Sequence, residues 1–183
     1  MHKLNGSKRP SGEKPALRAF GERSKSENHI DEKVKALDLQ GPSARKEMLK
    51  SLRDRGMTVL LTHTALKSEH ADTRKEAMDM LDDPKFLAGI ATWKEPQEDD
   101  EFIHLPACRD SKIEAVRRLS RVGDIEALSD VVELQQDKEI RTIALGCIMD
   151  LLGKLDAEGL DDVLSRTTSR AVRMAVELRK DHL

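Results

Sequence analysis

The stretch 110–124, DSKIEAVRRLSRVGD, constrains the fold more than any other, because its pattern recurs along the chain. Asp110 is placed to cap a helix, its carboxylate accepting from the free amides of the first turn. Ala115 and Leu119 are four apart and Val122 follows three later, so the three share one helical face. Lys112, Arg117, Arg118 and Arg121 fall elsewhere on the helix. Gly123 accommodates the left-handed residue that ends a helix. Asp124 is then placed to cap a second helix over residues 125–134. So short a turn makes the two helices an antiparallel hairpin.

The repeat is found by anchoring on Lys112. Its counterparts are Arg45, Arg74, Arg141 and Arg173, at spacings of 29, 38, 29 and 32 residues. Three positions after each anchor stand Met48, Ala77, Ala115, Ala144 and Val176. Seven positions after stand Leu52, Leu81, Leu119, Ile148 and, out of pattern, Lys180. A small or apolar residue followed by a larger one four later marks a single buried face. The last copy departs from the pattern, as an end repeat with no further neighbour does.

The segments SKIEAVRRLSRVGDIEALSDVV and EIRTIALGCIMDLLGKLDAEGLDDVL resemble short HEAT-type repeats. The resemblance is to the roughly 30-residue form seen in prokaryotic HEAT-like and phycobilisome-lyase-type repeat proteins. It covers about residues 110–180, extends more weakly over 43–93, and leaves out 1–28 and 94–109. It implies an all-α, right-handed α-solenoid of about four to five helical hairpins. It also implies that the second helices of the hairpins line a concave surface. Such arrays serve many roles, so the resemblance specifies architecture and leaves function open.

Composition agrees with helices packed on helices. Only 2% of residues are aromatic, namely Phe20, Phe86, Trp93 and Phe102, so a core must come from Leu, Ile, Val, Ala and Met. No stretch sustains the two-residue alternation of a half-buried strand. A first helix is expected after Asn28, with Ile30, Val34 and Leu37 on its inner face. Further helices are expected over 43–54, 57–67 and 72–81, with Gly56 at a junction. Asp83-Pro84 marks another start, since Pro suits the first helical position. Phe86, Ile90 and Trp93 then line up on one face. They form either core packing or, because Trp93 abuts an irregular insertion, an exposed docking patch.

Two segments lie outside the repeats. Residues 1–28 hold seven basic side chains, among them Lys8, Arg9, Lys14 and Arg18, against three acidic ones. Since the whole chain carries −2, this segment is +4 and the remainder −6. Rich in Gly, Pro and Ser and poor in apolar residues, it is expected to be a disordered basic tail. The domain proper is expected over 29–183. The insertion 94–109, KEPQEDDEFIHLPACR, opens with five acids and closes with an apolar run that includes Phe102 and Ile103. It is either a solvated loop or a contact element.

Charge also differs between the two helix layers. Second helices carry Glu126, Asp130 and Glu133 at i, i+4, i+7, and later Glu158, Asp161 and Asp162. If the family geometry carries over, the concave face is acidic and suits a basic protein or peptide rather than a phosphate backbone. Equally, acids are ordinary residues on the solvent side of a helix. Arg117, Arg118 and Arg121, with the basic tail, supply the alternative: contacts to nucleic acid or a ribonucleoprotein.

Chemistry is sparse. The sequence contains no HExxH, Cys-x-x-Cys, phosphate-binding Gly loop or nucleophile elbow. No residue set calls for a metal or cofactor. His63 and His70 lack a completing ligand and are expected on the surface. Cys147 is expected to be a small core residue, and two cysteines make no disulfide framework. A bilin-lyase activity, known for some relatives of the repeat, has no motif to carry it here. No run is apolar enough to span a membrane, and no signal-peptide core is present, so the expected compartment is the cytoplasm. These features together lead to a non-enzymatic protein-binding adaptor or small subunit, using the acidic helix face and the insertion. Nucleic-acid association is the alternative.

Overall fold

A computed structural model describes residues 25–94 and 108–182. The described residues form ten helices and no strand. In chain order they are α1 (Lys25–Asp38), α2 (Pro42–Asp54), α3 (Thr58–Lys67), α4 (Ala71–Asp79) and α5 (Pro84–Ala91), followed by α6 (Arg109–Val122), α7 (Ile125–Leu134), α8 (Lys138–Leu152), α9 (Ala157–Arg166) and α10 (Arg170–Lys180). None of the described helices is long and apolar enough to cross a membrane.

Local signals set most boundaries. Gly56 and Gly123 are the described residues with positive φ, at 66° and 81°, and each ends a helix where other residues would be strained. Asp83, Asp124, Asp137 and Asp156 each accept a first-turn amide of the helix that follows. Two starts and one end depart from expectation. Cys108 rather than Asp110 occupies the cap position of α6, because its amide donates to Leu66 O at 2.8 Å and fixes the chain's entry earlier. Asp110 instead lies in the first turn, where a negative charge complements the helix dipole. Asn28 lies inside α1, which already begins at Lys25. The helix expected over 72–81 ends at Asp79, and Leu81 is buried from the turn beyond it.

The helices fall into two interleaved series. Among the odd-numbered helices α1 packs on α3, α3 on α5 and α5 on α7; among the even-numbered ones α2 packs on α4, α4 on α6, α6 on α8 and α8 on α10. The most extensive contacts join α3 to α4, α5 to α6 and α7 to α8, exceeding that between α6 and α7 across the Gly123 turn. One hydrophobic cluster runs through the described chain from Leu37 of α1 to Val176 of α10. The expected inner positions Ala77, Ala115, Ala144, Val176, Leu119 and Ile148 are all buried.

The repeat pattern fails at two places. In α2, Met48 is 41% exposed and Leu49 takes the core position beside it. Arg45 turns inward there, donating to Thr73 Oγ1 at 2.9 Å and Gln40 O at 2.7 Å, so its helix presents a different face to the core. In α6, Val122 is 58% exposed, because it is the last helical residue before the chain turns at Gly123. Cys147 is half-buried against the core rather than fully inside it.

Candidate functional site

The odd-numbered series loosens at its end. The principal contact of α9 is with α10, and α7 and α9 are not among the closely packed pairs. A groove of about 290 Å³ opens between them. The Asp124 cap starts α7 so that Glu126, Ser129, Asp130 and Glu133, at i, i+3, i+4 and i+7, form one wall. Asp162 and Arg166 of α9 form the other. Leu160 is fully buried and keeps α9 in place.

The groove is dominated by negative charge. Of its lining residues Asp124, Glu126, Asp130, Glu133 and Asp162 are acidic and Arg166 alone is basic. Arg166 donates to Asp162 at 2.7 Å, and the Asp124 carboxylate is engaged by the Ala127 amide at 2.9 Å. Thus Glu126, Asp130, Glu133 and Asp162 line the same groove. Asp161 does not; its carboxylate lies 2.5 Å from Lys180 Nζ and ties α9 to α10.

The basic face of α6 is largely spoken for. Arg118 pairs with Asp79 and Glu114 and donates to Met78 O at 2.8 Å. Burial works against its charge, but the Asp79 and Glu114 carboxylates outweigh it and raise its pKa. Arg121 shares the same Glu114 oxygen at 3.1 Å. Arg117 is exposed. The cavity of about 440 Å³ between α4 and α6 mixes Arg74, Lys75 and Arg118 with Asp110 and Glu114, so its charge is mixed where the α7–α9 groove is acidic. Lys8, Arg9, Lys14 and Arg18, like Phe102 and Ile103, lie outside the described residues. The same holds for most of the expected tail and insertion.

Trp93 is 7% exposed and belongs to the core, so the docking-patch alternative fails for it. It sits in a constellation that sequence reasoning missed. Lys67 Nζ lies 2.8 Å and 3.0 Å from the two Asp31 oxygens and 4.9 Å from the Trp93 ring centre. His63 meets the Trp93 ring edge-on at 5.2 Å, and its Nδ1 is 3.7 Å from Asp31 Oδ1, too long for a hydrogen bond. Contrary to the surface position expected for it, His63 is 3% exposed. The reason is that α3 is covered all round: every residue from Leu60 to Lys67 is buried. A signal was available, since Leu60, Leu61, Ala65 and Leu66 point to different sides of one helix. Burial raises the Asp31 carboxyl, but His63 and Lys67 beside it more than compensate and hold it at about 2. His70, half-buried, places Nε2 3.1 Å from Asp38 O at the end of α1.

Among the described residues no cluster of His, Cys, Asp and Glu is arranged to hold a metal ion. Comparison of the chain with models of protein families, with curated proteins and with solved structures returns no match.

Proposed function

We propose that the chain is a non-enzymatic interaction module, an adaptor or small subunit that binds a basic segment of a partner protein in the α7–α9 groove. The observation that carries this reading is the convergence of Glu126, Asp130 and Glu133 of α7 with Asp162 of α9 around one open groove. Such a surface attracts cationic side chains and repels phosphate backbones. The ion pairs that engage Arg118 and Arg121 weigh in the same direction, because they leave less free positive charge on α6 for nucleic acid. We further propose that the two helix series form a right-handed solenoid of HEAT-like hairpins. The stacking of alternate helices supports it.

The test is affinity capture of the full chain from native lysate, run with and without nuclease and in parallel with a Glu126→Gln/Asp130→Asn/Glu133→Gln variant. The proposal expects a stoichiometric protein that survives nuclease and is lost with the variant. Partners that vanish with nuclease and bind both proteins equally would instead establish the nucleic-acid reading.

A further inference from the structure

The helices of the odd-numbered series differ in how firmly they are seated. Of ten residues each, α3 buries eight, α7 four and α9 one, Leu160. Val163 and Leu164 are only half-buried against the core, and Glu158, Asp161, Asp162, Ser165 and Arg166 are exposed. Neither α7 nor α8 packs closely on α9. The side-chain tie from α9 to α10 joins Asp161 to Lys180, a pair open to solvent, and such pairs contribute little to stability. Ser165 and Arg166 turn back onto Asp162 within α9 itself. By contrast α10, the last described helix, is well held. It buries Val172, Ala175 and Val176, and it packs on α7 and α8 as well as on α9. Ser169, 3% exposed, caps it, and Arg179 donates to Gly153 O at the end of α8 at 3.4 Å. These contacts seat α10 without help from α9.

We propose that α9 is a gate: residues 155–167 open and close as a unit while α7, α8 and α10 stay folded. The turns on either side of α9, at 153–156 and 167–169, supply the pivots. Opening gives up the burial of Leu160, the half-buried faces of Leu155, Val163 and Leu164, and one solvent-exposed ion pair. Local openings are drawn from elements with few buried apolar contacts, and α9 is such an element between better-seated neighbours. Asp162 and Arg166 form one wall of the α7–α9 groove, so opening removes that wall and leaves the α7 wall in place. The position of α9 therefore sets the width of the groove, whatever the groove binds.

Native-state hydrogen exchange of the full chain, read by mass spectrometry on peptides that resolve α7, α9 and α10, tests the gate. The expected protection factors in α9 are about a hundredfold below those in α7 and α10. In about 1 M urea those of α9 should hardly change, because a local opening exposes little surface, while those of α7 fall. Leu160→Ala should speed exchange in α9 a further thirtyfold or so, as loss of a buried leucine does, and leave α10 within about threefold of wild type. Leu128→Ala, in the core of α7, should instead speed exchange in all three helices. Protection that is lowest in α10 and rises inward would reduce α9 to fraying from the last helix and overturn the gate. Exchange in α9 that follows α7 through the urea series would overturn it too. So would a Leu160→Ala protein that speeds exchange everywhere alike or fails to fold, since the gate requires the rest to stand without α9.

Discussion

The constellation around Asp31 and the groove between α7 and α9 use the same residue types to opposite ends. Asp31, His63 and Lys67 are enclosed by α1, α3 and Trp93, and the Asp31 and Lys67 charges answer each other at 2.8 Å. Glu126, Glu133 and Asp162 are exposed and stand in excess over the one base that lines their groove. A charge taken out of water is costly to leave unpaired, so the first set holds helices together. An exposed charge contributes little to folding. The difference is therefore one of solvent access rather than chemistry.

Substitutions on either side sharpen that contrast. Lys67→Ala leaves the Asp31 carboxylate buried without its ammonium and is expected to cost about 3–5 kcal/mol in urea unfolding. Replacing both partners, Asp31→Leu with Lys67→Met, restores most of that loss, because a matched apolar pair avoids the desolvation cost. Recovery absent from the double variant would assign the cost to lost packing against Trp93 instead.

Acid addresses the same pair. The folded Asp31 carboxyl titrates at about 2, below its ordinary value of 3.8. A folded value below the unfolded one favours the folded state whenever the group is ionised. The contribution, roughly 2 kcal/mol, is thus complete above about pH 4 and is lost as pH falls through about 2. Urea midpoints measured between those limits should fall for wild type, and the fall should be smaller in Asp31→Asn. A local change makes a smaller step: Asp124→Ala removes the cap of α7 and should cost about 1 kcal/mol by thermal unfolding. Smallest of all, Glu126→Gln/Asp130→Asn/Glu133→Gln should leave stability within about 0.5 kcal/mol.

Legibility followed the same division. The ends of α7 were plain because Gly123, Asp124 and the apolar spacing act within a few residues of one another. Its acidic stripe was equally plain, since i, i+4, i+7 spacing determines a shared face. That Asp162 completes the groove and Asp161 does not was beyond the sequence. Neighbouring residues on one helix diverge by about 100°, and only the position of α10 decides that Lys180 takes Asp161. A lone histidine carries no mark of burial in its own type, and only the apolar residues on every side of α3 announce that His63 is enclosed. Arg45 likewise shifted the register of α2 through contacts with Gln40 and Thr73 that no periodicity announces.

The contrast between a groove that recognises and a constellation that holds is tested most directly by titrating a fluorescein-labelled oligo-arginine peptide into wild type and into the Glu126→Gln/Asp130→Asn/Glu133→Gln protein. Its unfolding midpoint is recorded on the same sample. The account predicts loss of peptide binding at an unchanged midpoint. Retained binding, or a collapse of the midpoint that places these acids among the fold's supports, would contradict it.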